Sequence, residues 1–349
     1  MSIKNNDIGD KMIIIKGFLG YIKNNFIYLL LIFICLFISF VKLPYDVEMP
    51  GGLIDLTDRI KVDEQKVPIK GSYNMTYVSV VQGSIPYILV GLVNKDWDVV
   101  KSEENLLPNE SIADANKRNK LYLEQSKNFA VVAALNEAGI KYEKKNNKNN
   151  VLYIYKEAKT DLEVGDNIIS LNNKEINNIN DIVEKVETGK IGDILKFKVL
   201  RKNKEKDAQA EIVSIDRKNK IGVVSLTTYE IDSPKKIELD SAASESGSSG
   251  GLMMSLMVYS GLVGEDLTKG RTIVGTGTID EEGKVGEIGG IKYKIIGAAK
   301  KKVDIFLVPS DNYKEALKVK EEKNYNFELV KIDTLREAIE YLEGEDNGK

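Results

Sequence analysis

The sequence predicts a mixed α/β (α+β) domain and a β-rich domain behind one N-terminal transmembrane helix. Three observations support this fold class: an uncharged apolar run at 26–41, a strand-rich stretch at 151–205, and alternating strand and helix patterns from about residue 211. The expected order is a cytoplasmic N-terminus with its anchor, an extracytoplasmic N-terminal region, the β-rich domain and the α/β domain, at 1–43, 44–125, 126–210 and 211–345.

The apolar run "FIYLLLIFICLFISFV" predicts the membrane anchor. It is bounded by Lys23 and Lys42, and its length is near the short end of a bilayer span. The residues after it, "KLPYDVEMPGG", are bulky and polar, so we expect no signal-peptide cleavage. More lysines precede the run than follow it. The N-terminus is therefore expected in the cytoplasm, and residues 43–349 outside the cell membrane.

The amino-acid composition excludes several kinds of catalytic site, metal site and partner. The chain of 349 residues is 42% hydrophobic and 30% charged, which allows sizeable cores. Its 50 basic and 53 acidic side chains nearly balance, so we expect no nucleic-acid partner. Histidine is absent and Cys35 is the only cysteine, which excludes Ser-His-Asp and Cys-His mechanisms, an intrachain disulfide and zinc sites built on histidine or cysteine. We expect no metal and no other cofactor.

The first part after the apolar run contains three predicted elements. "YNMTYVSVV" at 73–81 is rich in β-branched and aromatic residues and predicts a strand. Residues 111–140 predict a helix that Gly139 ends. "NNKNN" at 146–150 predicts a turn or loop.

The β-rich stretch that follows has the order strand, loop, strand, short helix, strand. The segments "LEVGDNIISLNNKEINNINDIVEKVE" and "ILKFKVLRKNKE", with Gly165-Asp166 after an apolar residue, resemble a PDZ domain. The resemblance implies a module that takes an extended peptide as an added strand. "KEAKTDL" stands where such domains commonly have a small-Pro-Ala turn, and residues 141–151 carry no Gly-Leu-Gly-Phe-like signature. A β-rich spacer without binding function is the alternative.

From residue 211 the pattern predicts an α/β domain. The expected strands are 221–226, 271–276 and 303–309. The expected helices are about 250 onward, 291–301, 311–320 and 333–342. The turn "GSSGG" at 247–251 runs directly into an apolar helix. Backbone N–H groups and the positive dipole end converge at a helix N-terminus, so Ser248 or Ser249 could be a nucleophile. Without histidine its base must be a lysine, and only burial makes a lysine partly neutral. Lys292 and Lys294, flanked by isoleucines, are the candidates.

The segments "GSSGGLMMSL", "GTGTID" and "GKVGEIGGIKYKIIGAAKKKVDIFLVP" together resemble the proteolytic domain of Lon-type proteases. With the apolar run, "YDVEMPGGLIDL" and the PDZ-like part, nearly the whole chain resembles the membrane-anchored, PDZ-containing Lon-like proteases of Gram-positive bacteria. The resemblance implies an ATP-independent serine endopeptidase that cleaves extracytoplasmic peptides or membrane-associated proteins. The PDZ domain would present the substrate or gate the site. No Gly-x-x-x-x-Gly-Lys-Ser/Thr loop for ATP occurs in the sequence.

The family's Gly-Pro-Ser-Ala-Gly turn matches residues 247–251, which makes Ser249 the implied nucleophile. Gly247, Ser248 and Gly250 are the implied supporting and oxyanion residues, although Ser248 stands where proline is usual and Gly250 where alanine is usual. The implied catalytic lysine is Lys294, the later one of the Gly-Gly-apolar-Lys-x-Lys segment.

Two further positions complete the comparison. Thr276 matches the threonine of the family's Thr-Gly pair and is expected to orient the lysine amine. Ser246 stands where motor-bearing relatives often have an acid, so the support of the dyad stays open. A catalytically silent PDZ adaptor is the alternative function, and neither the oligomeric state nor the PDZ ligand follows from the sequence.

Overall fold

A computed structural model describes residue 17, residues 20–176 and residues 178–344. Its helices are, in chain order, α1 (Phe26–Phe40), α2 (Ile85–Val93), α3 (Ile112–Glu137), α4 (Asn180–Glu187), α5 (Gly251–Val263), α6 (Ile291–Ala298), α7 (Ser310–Glu322) and α8 (Leu335–Glu343). A short 3₁₀ turn covers Ser102–Asn105.

The strands follow the same numbering principle. They are β1 (Tyr45–Asp55), β2 (Ile60–Val62), β3 (Gln65–Lys66), β4 (Ser72–Gln82), β5 (Asp98–Lys101), β6 (Glu143–Ile154), β7 (Asn167–Leu171), β8 (Lys174–Glu175), β9 (Ile194–Arg201), β10 (Lys204–Glu211), β11 (Val213–Ile215), β12 (Lys218–Lys220), β13 (Val223–Asp232), β14 (Ile237–Leu239), β15 (Thr272–Gly275), β16 (Thr278–Ile279), β17 (Val285–Gly286), β18 (Ile305–Pro309) and β19 (Glu328–Ile332).

The described chain divides into two compact units. The first comprises the described residues up to Glu48 together with Val80–Glu103. In it, the beginning of β1 pairs antiparallel with β5, from Tyr45 opposite Lys101 to Glu48 opposite Asp98. Helix α2 packs closely on that ribbon, because a Cβ at Gly91 would lie 2.6 Å from a methyl group of Val99.

The expected transmembrane anchor is wrong. In the part of the chain that the structure describes, no helix combines the length and the apolar character that crossing a membrane requires. Helix α1 has 15 residues, so it extends about 22 Å, whereas the hydrocarbon core of a bilayer is about 30 Å thick. A turn at Asn25 precedes the helix, and Val41 is already extended shortly before Pro44. Three further expectations depended on this anchor and lose their support with it: the cytoplasmic N-terminus, the extracytoplasmic placement of residues 43–349 and the membrane partner. Residues 1–16 lie outside the described residues.

The second unit comprises Met49–Ser79 and the described residues from Glu104 onward. Its main sheet has the order β19-β18-β15-β4-β1, and the four strands from β19 to β4 run parallel. Side chains alternate between the two faces of a strand. In β15, Ile273 faces the core that contains α3, α5 and α8, whereas Val274 faces the core that contains α6 and α7. The sheet is therefore covered by helices on both faces, and the expected mixed α/β fold is confirmed.

The second sheet of this unit is antiparallel, with the order β10-β9-β7-β6-β13 and β8 beside β7. It has its own core, and α4 contributes Ile182 and Val186 to that core. The turn between β7 and β8 contains Asn172 and Asn173, which both have positive φ. Such backbone suits a tight turn between antiparallel strands.

The turn predicted at 146–150 is wrong, because these residues lie inside β6. Pairing with β13 on one side and β7 on the other overrides the local preference of asparagine for turns. Only Asn146 keeps a turn-like backbone, with φ 51°, opposite the register shift between Thr228 and Glu230. The asparagine-rich stretch thus forms a β-bulge.

Candidate active site

The serine-rich turn lies directly before helix α5. Gly247 has φ 87°, a left-handed conformation that favours glycine. Its N–H donates a hydrogen bond of 2.8 Å to the carbonyl oxygen of Asn119 on helix α3. Helix α5 begins at Gly251, and its residues from Leu252 to Val258 are buried. The apolar run therefore fixes the helix in the core and holds the turn at its N-terminus.

Helix α5 begins in a crowded place. A Cβ at Gly251 would lie 2.7 Å from the Cγ2 atom of Ile279 and 3.1 Å from the Oγ atom of Ser126. The Ser126 hydroxyl donates a hydrogen bond of 3.0 Å to the carbonyl oxygen of Ser248. Only a glycine at 251 allows α3 and β16 to approach the turn this closely.

Thr276 connects the two helical layers of the main sheet. It follows β15 at the carboxyl edge of the parallel strands, and its side chain is fully buried. The Thr276 hydroxyl donates to the carbonyl oxygen of Ser249 at 3.0 Å and accepts a hydrogen bond from Lys294 Nζ at 2.9 Å. The N–H of Gly277 also donates to the Ser249 carbonyl oxygen, at 2.8 Å. One threonine hydroxyl thus joins the turn before α5 to the lysine of α6.

Lys294 is buried in an apolar environment. Its exposed fraction is 3%, and its neighbours Ile291 and Ile295 on α6 are also buried. Burial lowers the pKa of the Lys294 amine from 10.5 to about 7, because an ammonium group loses its hydration there. No carboxylate among the described residues forms an ion pair with it. Lys292, two residues earlier, is only half-buried and lies 5.3 Å from the centre of the Tyr293 ring.

Three backbone N–H groups in the turn, those of Ser248, Ser249 and Gly250, donate to no acceptor among the residues that the structure describes. Those of Ser249 and Gly250 belong to the two peptide units that flank the nucleophile. The carbonyl groups of the same two peptide units point elsewhere: that of Ser248 accepts from Ser126 and Gly251, and that of Ser249 accepts from Thr276 and Gly277. Because C=O and N–H of one peptide unit point in opposite directions, the two free N–H groups are held away from these partners.

The structure brings Ser249, Thr276 and Lys294 together at one sheet edge. It places no hydrogen bond between the Ser249 hydroxyl and Lys294 Nζ within the described part of the chain. Ser246 is exposed. The contact of Ser126 with the turn was not expected from the sequence. A serine within a helical pattern far earlier in the chain gives no local signal of such a contact.

The fold and this cluster define an α/β protein in which a threonine hydroxyl links a serine-bearing helix N-terminus to a buried lysine. Residues 130–343 match the model of the Lon protease (S16) C-terminal proteolytic domain. Since this match covers more than half of the chain, the chain belongs to that family. The chain therefore contains a serine endopeptidase domain, as the sequence predicted.

Several relatives are similar to parts of the chain. The Lon protease of Campylobacter jejuni is 35% identical over 103 residues, which are 29% of this chain and 13% of that protein. The Lon protease of Haemophilus influenzae is 27% identical over 155 residues, which are 44% of this chain and 18% of that protein. The chain thus spans less than a fifth of the length of these two relatives.

Solved structures similar to the chain include the PDZ domain of an SdrC-like protein from Listeria innocua. The sequence identity is 22%, the TM-score is 0.21, and the match covers 22% of this chain and 92% of that domain. The corresponding domain from Listeria monocytogenes has 18% identity, a TM-score of 0.21, and covers 22% of this chain and 86% of that domain. Scores this low leave the PDZ interpretation dependent on the order of strands and helix within the chain itself.

Proposed function

We propose that the chain hydrolyses peptide bonds with Ser249 as nucleophile and Lys294 as general base. The observation that carries this proposal is the burial of Lys294, whose Nζ donates to Thr276 while Thr276 donates to the backbone of Ser249. A neutral amine that donates to Thr276 keeps its lone pair for the serine proton. With a pKa of about 7, the amine is partly neutral at physiological pH.

In the first step, Lys294 Nζ takes the proton of the Ser249 hydroxyl, and Oγ attacks the substrate carbonyl carbon. The oxyanion accepts hydrogen bonds from the N–H groups of Ser249 and Gly250, which are free for this purpose in the described structure. Loss of one such donor typically slows turnover by about 10²–10³-fold. The described residues show no Ser249–Lys294 hydrogen bond, and this bond forms when the substrate is bound.

In the second step, the Lys294 ammonium returns its proton to the leaving amine as the peptide bond breaks, which leaves an acyl ester on Ser249. The neutral amine then takes a proton from water, and the hydroxide attacks the ester carbonyl carbon. As the bond to Ser249 Oγ breaks and the acid leaves, the Lys294 ammonium returns the proton to Oγ, which restores the serine and the neutral amine. Thr276 holds the amine in place throughout, because its hydroxyl proton is committed to the Ser249 carbonyl oxygen. Gly247 and Ser248 shape the turn.

We further propose that this chain works without ATP, since its sequence contains no phosphate-binding P-loop. Its substrates are then peptides and exposed or unfolded protein segments. The antiparallel sheet that contains β6 and helix α4 has a separate core, and we propose that this module is the PDZ domain and binds an extended segment of the substrate.

The test is cleavage of an unfolded protein by the full chain without ATP, with fragments identified by mass spectrometry. Wild type and Lys292→Ala should cleave, whereas Ser249→Ala and Lys294→Ala should not. Lys292 is a matched control, because it lies on the same helix as Lys294 but is not buried. If Lys294→Ala cleaves normally while Lys292→Ala does not, the base is misassigned. A folded wild type that cleaves nothing would favour the adaptor alternative.

A further inference from the structure

Helix α3 contacts the catalytic turn although it lies more than a hundred positions earlier in the chain. Asn119 accepts the N–H of Gly247, and Lys120 Nζ donates to the carbonyl oxygens of Ala243 and Glu245. Ser126, one turn or more further along the helix, reaches the carbonyl oxygen of Ser248. The segment before the nucleophile is therefore attached to α3 along its length.

Of these contacts, the one from Ser126 acts nearest to the reaction. The carbonyl oxygen of Ser248 and the N–H of Ser249 belong to the same rigid peptide unit and point in opposite directions. The Ser248 carbonyl oxygen accepts two hydrogen bonds. The one from the Gly251 N–H is long, at 3.3 Å, whereas the one from the Ser126 hydroxyl measures 3.0 Å. Ser126 is itself 3% exposed, so water has little access to replace its hydroxyl.

We infer that Ser126 is a positioning residue for the oxyanion site: its hydroxyl holds the peptide unit between Ser248 and Ser249 in the orientation that directs the Ser249 N–H toward the substrate oxyanion. Thr276 and Gly277 hold the following peptide unit in the same way through the Ser249 carbonyl oxygen. Ser126 thus orients the Ser249 N–H, as Thr276 orients the Gly250 N–H. This inference rests on the proposed function of Ser249.

The orientation matters because an oxyanion site works only when its donors are already aligned before the reaction. Without the Ser126 hydroxyl, the Ser248 carbonyl keeps only the long contact from Gly251, and the peptide unit is free to rotate. The expected consequence is slower acylation with unchanged substrate binding and unchanged protonation of Lys294. We expect kcat to fall about tenfold or more. Complete loss of an oxyanion donor typically lowers kcat about 10²–10³-fold, and here the donor is misaligned rather than removed.

A matched control exists in helix α5, which follows the turn. The hydroxyl of Ser255 is also buried and donates to a carbonyl oxygen, that of Leu252, at 2.8 Å. This contact lies within α5 and touches neither peptide unit beside Ser249. Ser255→Ala therefore removes the same kind of hydrogen bond at a similar depth without affecting the orientation of the Ser249 N–H.

The experiment compares full-length wild type, Ser126→Ala, Ser126→Thr and Ser255→Ala. For each we would measure kcat and KM for a peptide substrate, the rate of inactivation by a fluorophosphonate, and the pH midpoint. Ser126→Ala should lose kcat and react slowly with the fluorophosphonate, with KM and the pH midpoint near 7 unchanged. Ser126→Thr, which keeps a hydroxyl, should recover most of the rate, and Ser255→Ala should match wild type. If Ser126→Ala does not fold, Ser126→Cys, a weaker donor of similar size, should show the same loss.

The inference is overturned if folded Ser126→Ala keeps the kcat of wild type, or if Ser255→Ala loses as much. It is also overturned if the loss appears in KM alone, or if Ser126→Thr is as slow as Ser126→Ala. If wild type neither cleaves the peptide nor reacts with the fluorophosphonate, the proposed function of Ser249 has failed, and the role of Ser126 fails with it. Wild-type activity with an unaffected Ser126→Ala removes only the role of Ser126.

Discussion

The pH dependence of peptide hydrolysis should follow the protonation of Lys294. Its side chain is 3% exposed and has no acidic partner among the described residues, and burial lowers its pKa from 10.5 to about 7. This difference corresponds to about 5 kcal/mol of lost hydration for the ammonium form. The active form is the neutral amine, so activity must rise as the pH rises through the pKa.

The size of the effect follows from the same pKa. At pH 6 about one tenth of the amine is neutral, and at pH 5 about one hundredth, so kcat/KM should fall tenfold and then a hundredfold below its plateau. A lysine with its ordinary pKa of 10.5 would instead leave the rate rising beyond pH 9. The two cases differ most between pH 7.5 and pH 9.5.

The assay is kcat/KM for a fluorogenic peptide between pH 5 and pH 10, since this quantity reports groups of the free enzyme. Circular dichroism at each pH would show that the chain is folded. Lys292→Ala serves as the control and should leave the midpoint unchanged. A midpoint above pH 9, a flat profile, or a midpoint that Lys292→Ala moves would refute the assignment of Lys294 as the base.

Three other predictions concern Thr276, the stability cost of Lys294, and the PDZ-like module. Thr276→Val removes the acceptor of the Lys294 Nζ hydrogen bond and should lower kcat about tenfold, which is the effect of about 1.4 kcal/mol; Thr276→Ser should restore it, and equal rates for both variants would contradict the orienting role. Lys294→Met should unfold at a higher temperature than wild type at pH 7. The native state binds the lysine proton more weakly than the unfolded chain, so the stability of wild type rises between about pH 7 and pH 10.5. The difference in unfolding temperature between Lys294→Met and wild type should therefore shrink by pH 10. A difference that grows with pH would contradict this linkage. Val183 on α4 is 45% exposed. Val183→Asp should raise KM for protein substrates, while KM for short peptides stays unchanged. An equal rise of KM for both kinds of substrate would count against segment binding by the PDZ-like module.

Much of the fold could be predicted because local patterns and tertiary structure agree. The helix expected at 111–140 is observed at Ile112–Glu137, with Ser111 capping its first turn through the N–H of Asp114. The strand expected at 303–309 is Ile305–Pro309, and all of its residues are buried, as in a parallel sheet covered on both faces. Where an element satisfies its own preferences, the sequence alone is sufficient.

Other features depend on contacts between distant segments. Strand β13 lies in the sheet of β6, although the sequence pattern groups it with the α/β domain. Its edge is covered by Asn128, whose side-chain amide pairs with both backbone groups of Tyr229. The asparagines at 146–150 form a strand for the same reason, since β13 and β7 supply their partners. No property of one segment predicts such pairing.

The candidate site divides in the same way. The residue patterns predicted a nucleophile at Ser248 or Ser249 and a base at Lys292 or Lys294, and the resemblance to Lon-type proteases implied Ser249 and Lys294. The contacts of Ser126 and Asn119 with the turn have no sequence signal, because only the packing of α3 on α5 brings them there. The anchor expectation rested on the length of an uncharged apolar run. Spanning a membrane depends instead on the length of continuous helix, and helix α1 covers only Phe26–Phe40.

The central claim is that Ser249 is a nucleophile activated by Lys294. The most direct measurement is mass-spectrometric mapping of the adduct that a fluorophosphonate forms with the full chain at pH 8. The claim predicts one adduct, on the peptide that contains Ser249, in wild type and Lys292→Ala, and none in Ser249→Ala or Lys294→Ala. An adduct on another serine, or full labelling of Ser249 in Lys294→Ala, would contradict it.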